Sequence, residues 1–184
     1  MTDLSRRGLM LGASAAVLAG CDNSVGSKGG RRIDARVSEA TTVMYREAPF
    51  TRELSSKAAG VLMMPLVTKA GLIFGGAYGE GALKIGGAVV DYYSVAAASW
   101  GLQAGAQQYS SALFFMDPEH LTKFRGQSGW TLGADFEYTI LKDAGNAGID
   151  TNDFREKVYA IIFGQAGILL GVSLEGSKYT RILR

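Results

Sequence analysis

A thiol that closes a short apolar run can be converted into a lipid anchor, and Leu18-Ala19-Gly20-Cys21 has that form. The run from Gly8 to Val17 follows Ser5-Arg6-Arg7. A charged start, a brief apolar stretch and small residues before a cut make an export signal. The stretch is well short of the ~20 residues needed to span a bilayer. Ending it in Leu-Ala-Gly-Cys makes residues 1–20 a lipoprotein-type signal, with Cys21 the acylated first residue of the mature chain. Each buried methylene adds ~0.8 kcal/mol, and a stable anchor needs more than one acyl chain. Cys21 is the only cysteine, so the rest of the chain has neither a disulfide framework nor a cysteine metal cluster. Ser5-Arg6-Arg7-Gly8-Leu9-Met10 fits a twin-arginine signal, while two arginines before an apolar run serve the general export route equally well. The expectation is an exported chain, lipid-anchored to a bacterial membrane and facing the periplasm, with inner or outer membrane left open.

Phosphate recognition is the second chemistry on offer. Lys28, Arg31, Arg32 and Arg36 cluster just after Cys21, where each cation is worth ~1 kcal/mol beside an anionic bilayer. A solvated tether would carry the same charges. Catalytic chemistry finds little support. His120 is the single histidine, with no G-x-S-x-G elbow to serve, and H-E-x-x-H is absent. The glycines of Gly75 to Gly87 match neither G-x-x-x-x-G-K-[ST] nor G-x-G-x-x-G. Asp143, Asn146, Asp150, Asn152 and Asp153 gather oxygen ligands without EF-hand spacing, which suits a solvated loop. Gln103, Asp135 and Glu175 would lie on strand faces opposite the apolar positions. They would meet in a polar pocket only if the sheet curls strongly; otherwise they face solvent. No enzyme, cofactor or metal is expected.

The elements that must position these groups follow from periodicity. Without residues 1–20, Lys+Arg falls from 19 to 17 (Arg6, Arg7) and Asp+Glu from 17 to 16 (Asp3), a net charge of +1. Such a balance gives no nucleic-acid footprint. Asp22 to Gly30 is polar and rich in Gly and Ser, so residues 21–32 read as the acylated cysteine and a flexible tether, and 33–184 as one domain. Ile33, Val37, Ala40 and Met44 follow helical spacing until Pro49, and Phe50, Leu54 and Ala58 mark a second short helix. Such a stripe can meet a membrane, but more commonly it packs on the domain's own sheet.

From Val61 the pattern becomes that of strands. Val61–Met64 should stop at Pro65, Gly79-Glu80-Gly81 should turn a hairpin, and Trp130–Ile140 alternates over its whole length. Gly164–Gly167 should join Val158–Phe163 to Ile168–Leu174, with a last strand at Lys178–Leu183. One inserted helix has Asp117 as N-cap and Pro118 at its first position. The fold class expected is α+β: a strongly curved antiparallel sheet tending towards a barrel, with N-terminal helices and one short inserted helix.

Five segments, in order, resemble the SYLF domain: Ala58–Pro65, Gly75–Gly81, Ser99–Gly105, Gly133–Asp135 and Gly167–Gly176. The resemblance covers about residues 38 to 183. It implies membrane-phospholipid binding through basic and amphipathic N-terminal segments, as in eukaryotic members that bind phosphoinositides. The matching candidates are Arg31, Arg32, Arg36, Lys57 and Lys69. In bacteria the similar domain occurs in small lipoproteins. Actin, bound by some fungal members, carries over poorly to a location that holds none. The alternative is an envelope scaffold that binds a protein partner without lipid affinity of its own.

Overall fold

A computed structural model describes residues 28–71, 74–100, 105–127, 129–135, 137–141, 155–166 and 174–184. Helix α1 (Lys28–Glu47) buries Gly30, Ile33, Val37, Ala40 and Met44, the stripe its spacing predicts. It begins inside the segment expected to be tether. Pro49 ends it, since proline disfavours helix in the residue before it. The Thr51 hydroxyl donates to Ala48 O at 2.6 Å and helps turn the chain into α2 (Thr51–Lys57), where Leu54 is fully buried.

Eight strands follow: β1 (Gly60–Gly71), β2 (Phe74–Ile85), β3 (Ala88–Trp100), β4 (Gly105–Phe115), β5 (Trp130–Thr131), β6 (Thr139–Ile140), β7 (Val158–Ala166) and β8 (Lys178–Ile182). They form one sheet in the order β5-β8-β3-β2-β1-β4-β7-β6, curled into a half-barrel. The α+β expectation holds, with one parallel pair, β6–β7, at the edge of an otherwise antiparallel sheet. Helix α3 (Pro118–Gly126) is the inserted helix, and Asp117 caps it by accepting from Glu119 N at 3.0 Å.

Alternation on β4 divides the core in two. Tyr109, Leu113 and Phe115 join a cluster with Phe124 of α3, Trp130 and Tyr179. Ala112 and Phe114 join the cluster formed with α1. The α1 stripe therefore packs on the sheet and not on acyl chains.

Four strand expectations differ from the structure. Pro65 does not stop β1. Two residues of β1 are absorbed in a bulge between Met63↔Ala82 and Leu66↔Glu80, which shifts the inward phase from Met64 to Val67. A bulge tolerates the missing N–H, and Pro65 O accepts from the Ser110 hydroxyl at 2.7 Å. Gly79 and Gly81 do not turn a hairpin but lie mid-strand in β2. A Cβ would come within 2.6 Å of Leu66 O at the first and 2.0 Å of Met63 O at the second. The β2–β3 turn is Gly86-Gly87, where φ of +58° and +87° suits the two left-handed positions of a type I′ turn.

Trp130–Ile140 is not one strand. Gly133 has φ +82°, and the Asp135 carboxylate accepts from Thr131 N at 2.6 Å, so the chain folds back after β5. Gly164 and its neighbours continue β7, which pairs with β4 and β6. The expected partner strand from Ile168 lies largely outside the described residues, as do Leu72 and Ile73.

Candidate functional site

The basic residues sort by element. Lys28, Arg32 and Arg36 recur every fourth residue of α1, with Arg31 beside them, so they share a face roughly opposite the buried stripe. All four are exposed and form no ion pair among the described residues. The end of the helix that carries them is held to the sheet. Asp34 accepts from the Tyr92 hydroxyl at 3.0 and 3.1 Å, and Gly30 packs so closely that a Cβ would lie 3.3 Å from the same oxygen. Burial and the Asp34 hydrogen bond raise the Tyr92 pKa, so the phenol stays a donor to that carboxylate. The result is a fixed cationic ridge, with Glu39 the one exposed carboxylate near its end.

The other predicted residues do not join the ridge. Lys57, at the end of α2, pairs with Glu53 at 2.8 Å. Lys69 is half-buried on β1, in register with Gln107 of β4 and Ala77 of β2. Cys21, Gln103 and the Asp143–Asp153 loop lie outside the described residues. Asp135 and Glu175 are exposed in neighbouring turns, not on strand faces, and a Cβ at Gly133 would sit 3.2 Å from Glu175 Cγ.

His120, the single histidine, holds Asp117 with Nδ1···Oδ2 at 2.5 Å. That hydrogen bond, with the backbone donor Glu119, keeps the Asp117 carboxyl below the usual range. Their spacing of three, with the aspartate at an N-cap, was the signal available in the sequence. His120 lines a cleft of about 290 Å³ with Lys123, Trp130, Asp135, Glu137 and Arg155. No hydroxyl or thiol nucleophile is among the lining residues. Among the described residues no three His, Asp or Glu side chains are set to hold a metal, and no helix is long and apolar enough to cross a membrane. In the core, burial pushes the Tyr93 phenol up to about 12, ahead of the effect of nearby Asp91, so it carries no charge at neutral pH.

A search of curated proteins gives no match to the chain. Residues 96–181, running from β3 into β8, match the family model Ysc84, described as Las17-binding protein actin regulator. Three of the five motifs quoted above begin in that interval, in the same order. Over this segment the chain is similar to that family model, consistent with the SYLF-domain resemblance.

Proposed function

We propose that this chain is a non-enzymatic lipoprotein of the bacterial envelope, anchored through acylated Cys21, whose SYLF-type domain binds anionic phospholipid. The observation that carries the reading is the cationic ridge of Lys28, Arg31, Arg32 and Arg36, exposed, without ion pairs among the described residues and backed by a docked apolar face. Lys28 is seven residues from Cys21, a span of at most ~25 Å even when fully extended. An anchor at Cys21 would thus keep the ridge close to headgroups. Near an anionic surface each cation contributes ~1 kcal/mol, falling off within a Debye length of ~8–10 Å.

Co-sedimentation of the mature chain carrying Cys21→Ser with phosphatidylcholine vesicles, with and without phosphatidylglycerol, tests this. Binding is expected only to the anionic vesicles, weakening as salt is raised. The triple change Arg31→Gln, Arg32→Gln and Arg36→Gln should weaken it by about 3 kcal/mol, on the order of a hundredfold. Undiminished binding by the triple variant would overturn the mechanism.

A protein-binding scaffold is the second reading. One observation favours it: Ala106, Ala70, Gly76 and Ala98 are in register across β4, β1, β2 and β3 and all exposed, with Tyr78 nearby at 55% exposure. An exposed face of small residues suits close approach of another polypeptide. This reading expects a specific crosslinked partner and no vesicle binding by the Cys21→Ser chain.

A further inference from the structure

Where the far end of α1 meets α2, the helices and the sheet leave a cleft of about 310 Å³. Met44 of α1 and Val61 and Met63 of β1 give it apolar walls, with Ala58 after α2. Lys84 of β2 is the one charged side chain among its lining residues, and no carboxylate faces it. The Lys84 ammonium makes no ion pair or hydrogen bond among the described residues. The Ser55 hydroxyl, in the same wall, is shielded from solvent and has no hydrogen-bond partner among the described residues. Buried donors are normally satisfied, and a lone ammonium over an apolar floor gains most from an anion that brings its own apolar body.

We infer that this cleft binds a single-chain anionic amphiphile, a fatty carboxylate whose head accepts from Lys84 and Ser55 and whose chain lies against Met44, Val61 and Met63. Its volume is at the low end for ligand sites, ~300–1,000 Å³, which suits one chain and not two. The Gly86-Gly87 turn borders the cleft without side chains. One cation and one hydroxyl match the two oxygens of a carboxylate. The site does not depend on the ridge, because none of Lys28, Arg31, Arg32 and Arg36 lines the cleft. Failure of one would leave the other standing.

Titration of the full chain carrying Cys21→Ser with decanoate below its micellar concentration, followed by calorimetry and amide chemical shifts, tests the site. Saturable decanoate binding is expected, with acetate and two-chain dihexanoyl phosphatidylglycerol far weaker. Lys84→Met should weaken decanoate by at least about tenfold, as loss of a charge-assisted hydrogen bond requires. Decanol, which has no charge, should bind Lys84→Met as it binds the parent. Val61→Phe, which fills the cleft, should weaken both decanoate and decanol, and amide spectra of each variant report whether the fold is kept. Equal binding of acetate, tighter binding of the two-chain lipid, or decanoate binding untouched by either substitution would overturn the inference.

Discussion

At Asp117 one carboxylate does two jobs, capping the first turn of α3 through Glu119 N and holding His120 across three residues. Both interactions favour the ionised form, and the His120 hydrogen bond is the larger. Because the folded-state pKa is lowered, the stabilisation is complete above the unfolded value and disappears as pH falls through the folded one. Asp117→Ala should therefore lower the thermal midpoint at neutral pH, with the gap to the parent closing in acid. Thermal unfolding followed from about pH 7 down to 2 would check this. A constant gap would mean that the cap, not the charge, carries the effect. The cap was legible because Asp117-Pro118 is a local signal. The histidine's partner was equally local, yet a lone histidine directs attention to catalysis first. Lys84 and Ser55 could not be found the same way, since their cleft exists only once α1, α2, β1 and β2 are assembled.

Among the elements, β2 shows best what periodicity can and cannot say. Glycines at 79 and 81 have the composition of a turn, but their cause is the bulged backbone of β1 lying against them. Gly81→Ala would drive a Cβ to 2.0 Å from Met63 O, a contact with backbone that cannot swing aside. It should cost about 3 kcal/mol or more. Gly76→Ala, on the exposed side and 3.6 Å from Ala97 O, should stay within about 0.5 kcal/mol of the parent. Denaturant unfolding of the pair separates close approach from strand propensity, which would move both alike. The α1 stripe, α3 with its cap, and the existence of strands at β1, β7 and β8 were readable because each follows a period or a cap. The Trp130–Ile140 alternation misled because pattern fixes which residues are buried, not whether the chain stays straight between them. Trp130 and Leu132 are indeed buried, yet the turn at Gly133 and Asp135 separates β5 from β6. Of the candidate site, the arginines of α1 were legible and Lys57 and Lys69 were not separable from them, since only the fold assigns them to other surfaces.

On the scale of the whole molecule, α1 gives the domain two unlike ends. One holds the exposed cations, and the other closes over the cleft of Lys84. The same helix brings the start of the described domain to the last residue: a Cβ on Gly30 would stand 3.7 Å from the carbonyl carbon of Arg184, whose guanidinium pairs with Glu80. A first helix that starts beside the last residue and an exposed two-glycine turn are the conditions under which a backbone can be rewired. A circular permutant that joins residue 184 to residue 28 through a short linker, and opens at Gly86-Gly87, should refold with every strand neighbour retained. A parent-like far-ultraviolet circular dichroism spectrum and cooperative melting are the expected result; a non-cooperative melt would mean the β2–β3 hairpin must form first. In such a permutant the ridge would sit mid-sequence, so an anchor could be attached at the opposite end of the domain and the orientation of the molecule on a surface reversed at will.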